Sequence, residues 1–118
     1  MVSNEEIAGI FAQLAELLEI KGEEVYRIRS YQQAARTLAG VGEPLAAVRA
    51  RGALRRLPGV GEKIAEKIAE ILDTGTLRKR DELLATFPPG VLALLTVPGV
   101  GPRTAGTLYR ALGVDSPE

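Results

Sequence analysis

Apolar positions near the N-terminus recur every three or four residues, the spacing of one helix face. Ile7, Ile10, Phe11, Leu14, Leu17 and Leu18 carry the first such stripe. Ser3 or Asn4 with Glu6 reads as a capping box before it, and Gly22 as the stop behind it. Val25, Ile28, Tyr31, Ala35 and Leu38 predict a second helix ending near Gly40. A shorter one runs from Pro44 to Gly52. Ile64, Ile68, Ile71 and Leu72 make a further stripe that stops at Thr74-Gly75. Leu83-Leu84 and then Val91 to Leu95 predict two short helices either side of "FPPG", and the last helix runs from about Pro102 to Leu112. No stretch alternates with period two. The pattern predicts an all-α chain, a small helical bundle.

Between the helices the same punctuation occurs twice, as "LPGVGEKIAEKI" from Leu57 and "VPGVGPRTAGTL" from Val97. Gly59 and Gly99 are 40 positions apart, as are Gly61 and Gly101, Ala65 and Ala105, and Ile68 and Leu108. A helix, a tight turn with two glycines and a second helix form a hairpin. Its turn N–H groups and following helix N-terminus face outward with partial positive charge, which suits a phosphate oxygen. A plain turn between antiparallel helices also favours glycine. The second copy, with Ala and an aliphatic residue at the same offsets, favours phosphate binding. It draws in Gly59, Val60, Gly61, Gly99, Val100 and Gly101, with Arg103 and Thr104 behind the second turn. An elastin-like reading fails, because the copies are isolated and sit among helices.

Composition narrows the chemistry. The 118 residues contain no Cys and no His. That excludes disulfides, Cys/His zinc sites and imidazole-dependent triads. Asp occurs only at 73, 81 and 115, with no Asp-x-Asp pair, so this chain alone lacks the clustered carboxylates of two-metal nucleotidyl transfer. No apolar run approaches a membrane span, and the first residues carry acid where a signal peptide carries Lys or Arg. A cytoplasmic location without membrane contact is expected. The net charge of zero conceals a gradient. Residues 1–24 carry six acids and one Lys (net −5), residues 25–80 twelve Lys/Arg and five acids (net +7), and residues 81–118 two Arg and four acids (net −2). On charge alone the basic middle is equally a solvated surface or a nucleic-acid footprint.

Lys63 and Lys67 share a helix face. With Ile64, Ile68, Ile71 and Leu72 in the core, Lys67 stands at the edge of the buried stripe and Lys63 farther into solvent. Spacing alone makes Lys63, Glu66, Lys67 and Glu70 a charged face with weak ion pairs. The sharper alternative is a nucleophilic amine, which needs an apolar flank or a neighbouring cation to act as a neutral base.

"YRIRSYQQAARTL", "LRRLPGVGEKIAEKIAEILDTGTLRK" and "LLTVPGVGPRTAGTLYRALGV", in that order, are similar to the N-terminal part of family X DNA polymerases. The two repeats look like helix-hairpin-helix motifs. The resemblance covers roughly residues 5–114. It implies an 8-kDa-like helical domain over 1–80 and a second hairpin subdomain over 81–118. The chain would then be a piece of a longer polymerase, with the catalytic domain as its partner in the same parent chain. It further implies sequence-independent binding to gapped or nicked DNA and its 5′-phosphate, and removal of 5′-deoxyribose phosphate. By the same resemblance Lys67 falls on the Schiff-base lysine, Lys63 and Lys79 on lysines around its pocket, Arg55 on a phosphate contact and Tyr31 on a lining tyrosine. Arg27 stands where a phosphate-pocket Lys is common, and Tyr26 where the animal enzymes have His. No cofactor is required, but carbonyls of Leu57, Val60, Val97 and Val100 would hold a monovalent cation, K or Na, at the hairpins. A DNA-binding module without chemistry, or a protein-interaction scaffold of tandem hairpins, remains open beside the lyase.

Overall fold

The computed structural model describes residues 2–87 together with 93, 99, 101, 102 and 104–107. Among the described residues the bounded α-helices run in order: α1 Asn4–Lys21, α2 Val25–Ala39, α3 Leu45–Ala50, α4 Glu62–Thr74 and α5 Arg78–Thr86. A 3-10 turn at Leu54–Arg56, not foreseen from the periodicity, precedes the first Gly-Val-Gly. Positions 102 and 104–107 are helical. Among the described residues there is no strand, and the all-α expectation holds. The proposed helix at Val91 to Leu95 and the end of the last one, with Leu108, Arg110 and Leu112, lie outside the described residues except for Ala93, which is helical and exposed.

The centre of the bundle is α1. Ile7, Phe11, Leu14, Leu17, Leu18 and Ile20 are essentially solvent-free, each a burial on the order of 2 kcal/mol. The capping box begins it: Glu6 N–H donates to Ser3 Oγ at 3.0 Å, and Ser3 N–H donates to Glu6 Oε1 at 2.9 Å. Ser3, not Asn4, is therefore the cap. Asn4 instead donates to the Val41 and Glu43 carbonyls (3.3 and 2.7 Å) and accepts from Leu45 N–H at 2.9 Å, tying the loop before α3 to the start of α1. The most extensive packing is of α2 on α1, with Tyr31 stacked on Phe11 at a centroid distance of 6.2 Å. Val25, counted with the apolar stripe, is 53% exposed because it occupies the first turn, before α2 reaches its neighbour.

Ile68 and Ile71 carry α4 into the same core, with Ile64 and Leu72 partly buried beside them. Arg49 reaches from α3 to Asp73 near the end of α4 with two hydrogen bonds (2.6 and 3.1 Å). Leu83 and Phe87 bury α5, and Arg80 anchors it to α1 by donating to Gln13 at 2.8 Å. Ala105, behind the second glycine turn, is fully buried in the same cluster.

Candidate nucleic-acid interface

The first glycine turn has a defined geometry. Val60 N–H donates to the Leu57 carbonyl at 3.1 Å, closing a four-residue turn with Pro58 and Gly59 in its middle. Gly59 has φ 76°. Proline followed by a positive-φ residue is the chemistry of a type II turn, and only glycine takes that conformation freely. Gln33 of α2 closes over the same spot: a methyl group on Gly59 would fall 3.1 Å from Gln33 Cδ and 3.2 Å from its Cγ and Nε2. Val60 itself is buried, so its side chain pins the turn to the core.

Gly61 differs from Gly59. Its φ of −91° is ordinary, and a side chain there would meet nothing within 4 Å. It is the N-cap of α4 and supplies no side-chain cap to the first helical turn. The leading N–H groups of α4 therefore have neither intrahelical partner nor capping side chain, and they lie on the exposed surface at Gly61, Glu62 and Lys63. The Val60 N–H, expected among the phosphate donors, is engaged inside the turn. The donors available to an anion are those that follow it.

The second copy repeats this geometry where it is described. Gly99 has φ 86° against 76° for Gly59. Ala105 N–H donates to the Gly101 carbonyl at 2.9 Å, as Ala65 N–H does to Gly61. Gly101 and Thr104 are exposed. Val97, Val100 and Arg103 lie outside the described residues.

A cleft of about 490 Å³ runs between α2 and the start of α4, lined by Glu24, Tyr26, Arg27, Ser30, Tyr31, Gly59, Gly61, Glu62, Lys63 and Ile64. Of the sequence-derived site residues it collects Arg27, Tyr31, Gly59, Gly61 and Lys63. Lys67 is half-buried next to them, its Nζ 5.8 Å from the Tyr31 ring centroid. Neither Lys63 nor Lys67 forms an ion pair with a described residue, so the paired charge face anticipated along α4 is not formed. Glu70 instead accepts the Arg78 N–H at 2.7 Å. Arg27, which lines the cleft, lies 3.9 Å from Glu23 in an i,i+4 pair at the edge of ion-pair range, a contact worth little. Arg55 is exposed on the 3-10 turn and Lys79 half-buried at the start of α5; neither lines the cleft. For the carbonyls assigned to a monovalent cation, Leu57 O keeps one lone pair after accepting from Val60, as a hard oxygen ligand needs.

Sequence reasoning did not collect Ser30, Ile64 or Gln33. Tyr26, Ser30 and Gln33 are spaced i, i+4 and i+7 on α2, which places them on one side. Nothing in that spacing shows that the glycine turn docks against it.

This arrangement, a Pro-Gly turn feeding a helix whose first turn is open to an anion, with the positive-φ glycine repeated at Gly99, defines a helix-hairpin-helix protein. The chain belongs to the helix-hairpin-helix domain family, whose model matches residues 2–77. A SAM-like helix-hairpin-helix tandem model matches residues 91–118. Among curated proteins it is similar to the DNA polymerase/3′-5′ exonuclease PolX of Bacillus subtilis (strain 168), 26% identical over 113 residues, covering 96% of this chain and 19% of that protein. It is also similar to DNA polymerase lambda of Rattus norvegicus, 33% identical over 97 residues, covering 81% of this chain and 16% of that protein. The resemblance to the N-terminal part of family X polymerases is thus supported across most of the chain, which spans less than a fifth of the length of these two relatives.

Proposed function

We propose that this chain is a sequence-independent DNA-binding module of a family X-like repair polymerase. The observation that carries this is the Gly61 N-cap: an uncapped helix N-terminus opening on a cleft with Arg27 and Lys63, with the turn geometry repeated at Gly99. Such a site takes a phosphate oxygen without reading a base. Two units, residues 1–80 and 81–118, would each bring one hairpin to the backbone of gapped or nicked DNA, and a polymerase domain in the same parent chain is the expected partner. Among the described residues no helix is long and apolar enough to cross a membrane; a cytoplasmic location is part of the proposal.

The same reading extends to 5′-deoxyribose phosphate removal in base excision repair. Lys67 Nζ, as a neutral amine, would add to the C1′ aldehyde of the abasic sugar and lose water to give an imine. Loss of a C2′ proton then breaks the C3′–O bond, freeing the DNA 5′-phosphate, and water returns the amine. Arg27 and Lys63 would hold the sugar's phosphate, Tyr31 would wall the site, and Arg55 and Lys79, outside the cleft, would add positive field.

The test is a titration of random-sequence gapped duplex at several salt concentrations. Affinity falls log-linearly with salt, at about 0.9 per phosphate neutralised, and is indifferent to sequence. A salt-independent or sequence-selective affinity defeats the reading.

A further inference from the structure

The described arginines divide into two groups. Arg27, Arg49, Arg51, Arg78 and Arg80 each have a carboxylate within ion-pair reach. Arg29, Arg36, Arg55 and Arg56 form no ion pair with a described residue. Arg55 and Arg56 directly precede the first hairpin. Arg29 and Arg36 are on α2, a helix with three arginines and no acid. With Gln33 they make an exposed i, i+4, i+7 row on its outward side.

The position of that row is informative. On one flank, Gln33 packs against Gly59 of the first hairpin, and Tyr26 and Ser30 line the cleft. On the other flank, Gln32, Ala35 and Arg36 line a groove of about 470 Å³ together with Pro102, at the start of the helix behind the second hairpin. The ridge therefore stands between the two glycine turns. A nucleic acid held by both turns has to cross it.

We infer that Arg29, Gln33 and Arg36 form a third backbone-binding strip joining the two hairpins, with DNA phosphates as the ligand. This rests on the DNA-binding reading above and adds a site to it. The row rises about 10 Å along α2, at about 1.5 Å per residue. Phosphates follow at about 3.4 Å per strand along a duplex axis, so the span of the row equals about three phosphate steps. Arginine suits this work through its forked donors, and the Gln33 amide adds a neutral donor beside the turn. Arg29 is the stronger contact, because Glu16 shares the groove with Arg36 and opposes an anion there.

The experiment measures binding of a random-sequence gapped duplex, long enough to reach both hairpins, to the wild-type chain, Arg29→Ala, Arg36→Ala, the double variant, and Arg29→Lys/Arg36→Lys. Gly61→Val is run in parallel, and circular dichroism checks helix content. The expected result is a two- to fivefold loss for each alanine, larger at Arg29, on the order of one surface charge contact. The salt slope drops by about 0.9 per arginine removed, and the lysine double variant restores it. An unchanged slope in the alanine double variant, with Gly61→Val still weakened, overturns the strip and leaves the hairpin reading standing. Absence of DNA binding by the wild-type chain overturns both.

Discussion

Lys67 holds its ammonium nitrogen 5.8 Å from the centroid of the Tyr31 ring, and that ring stacks on Phe11 in the core. A cation over an aromatic face is worth about 0.5–1 kcal/mol at an exposed site and more when desolvated. The consequence is positional: α4's most inward lysine is tethered to the cleft wall through a chain of packed rings that ends on α1.

Lys67→Ala is expected to abolish most borohydride-trapped adduct with 5′-incised abasic DNA. Affinity for gapped DNA changes little, since one such charge contributes about 1 kcal/mol or less. Tyr31→Phe keeps the ring and hence the trapping; Tyr31→Ala loses both the tether and part of the core. Trapping that survives Lys67→Ala undiminished assigns the chemistry to another amine. A wild-type chain that binds but yields no adduct is a binding module without lyase chemistry.

The two glycines of the first turn should fail in different ways. Gly59→Ala forces a side chain into φ 76° and against Gln33, costing on the order of 1–2 kcal/mol of stability. Adding Gln33→Ala relieves the contact but not the backbone. Gly61→Val meets an allowed φ and open space, so urea midpoints move little while DNA affinity falls, because the valine stands where a phosphate would approach. Equal effects of both substitutions on stability and binding would refute this division.

A monovalent cation bridging Leu57 O and the DNA would make binding depend on ion identity. Replacing potassium or sodium with a bulky organic cation at constant ionic strength is expected to loosen the complex. An unchanged affinity removes the cation from the hairpin.

Acid should weaken the fold in a window set by its hydrogen-bonded carboxyls. Hydrogen bonds from Arg49 hold Asp73 below its ordinary value, Arg51 does so for Glu43, Thr76 and Arg80 for Asp81, and the Ser3 backbone and hydroxyl for Glu6. A carboxyl lowered in the folded state contributes stability that is complete above its unfolded value, here 3.8 for Asp and 4.5 for Glu. That contribution is lost as pH falls through the folded value. Glu16 runs the other way, raised by burial and by Glu19. Melting temperature should therefore be flat near neutrality and fall below about pH 4. Arg49→Gln should make the decline shallower; an unaltered acid limb shows that the pair contributes nothing.

Local chemistry alone determined much of this protein. Three- and four-residue spacing placed α1, α2 and α4 and their inward faces. Ser3 with Glu6 began α1, Gly22 and Gly75 ended helices, and the double Pro-Gly-Val-Gly placed both turns. These features depend on φ, capping and hydrophobic period within a few residues, so they are legible in one dimension. Lys67's half-buried position followed from the α4 stripe for the same reason. Tertiary structure decided the rest, because it depends on which faces meet. Asn4 was released from capping to clamp a loop some forty residues away, since only the folded chain brings Val41, Glu43 and Leu45 to it. Arg55 and Lys79 stayed outside the cleft while Gln33 closed over Gly59. Among the described residues, separating arginines with an ion pair from those without one required knowing where each carboxylate lies. No local period encodes the docking of α2 against the glycine turn; burial of Val60, Ile68 and Ile71 in the shared core fixes it.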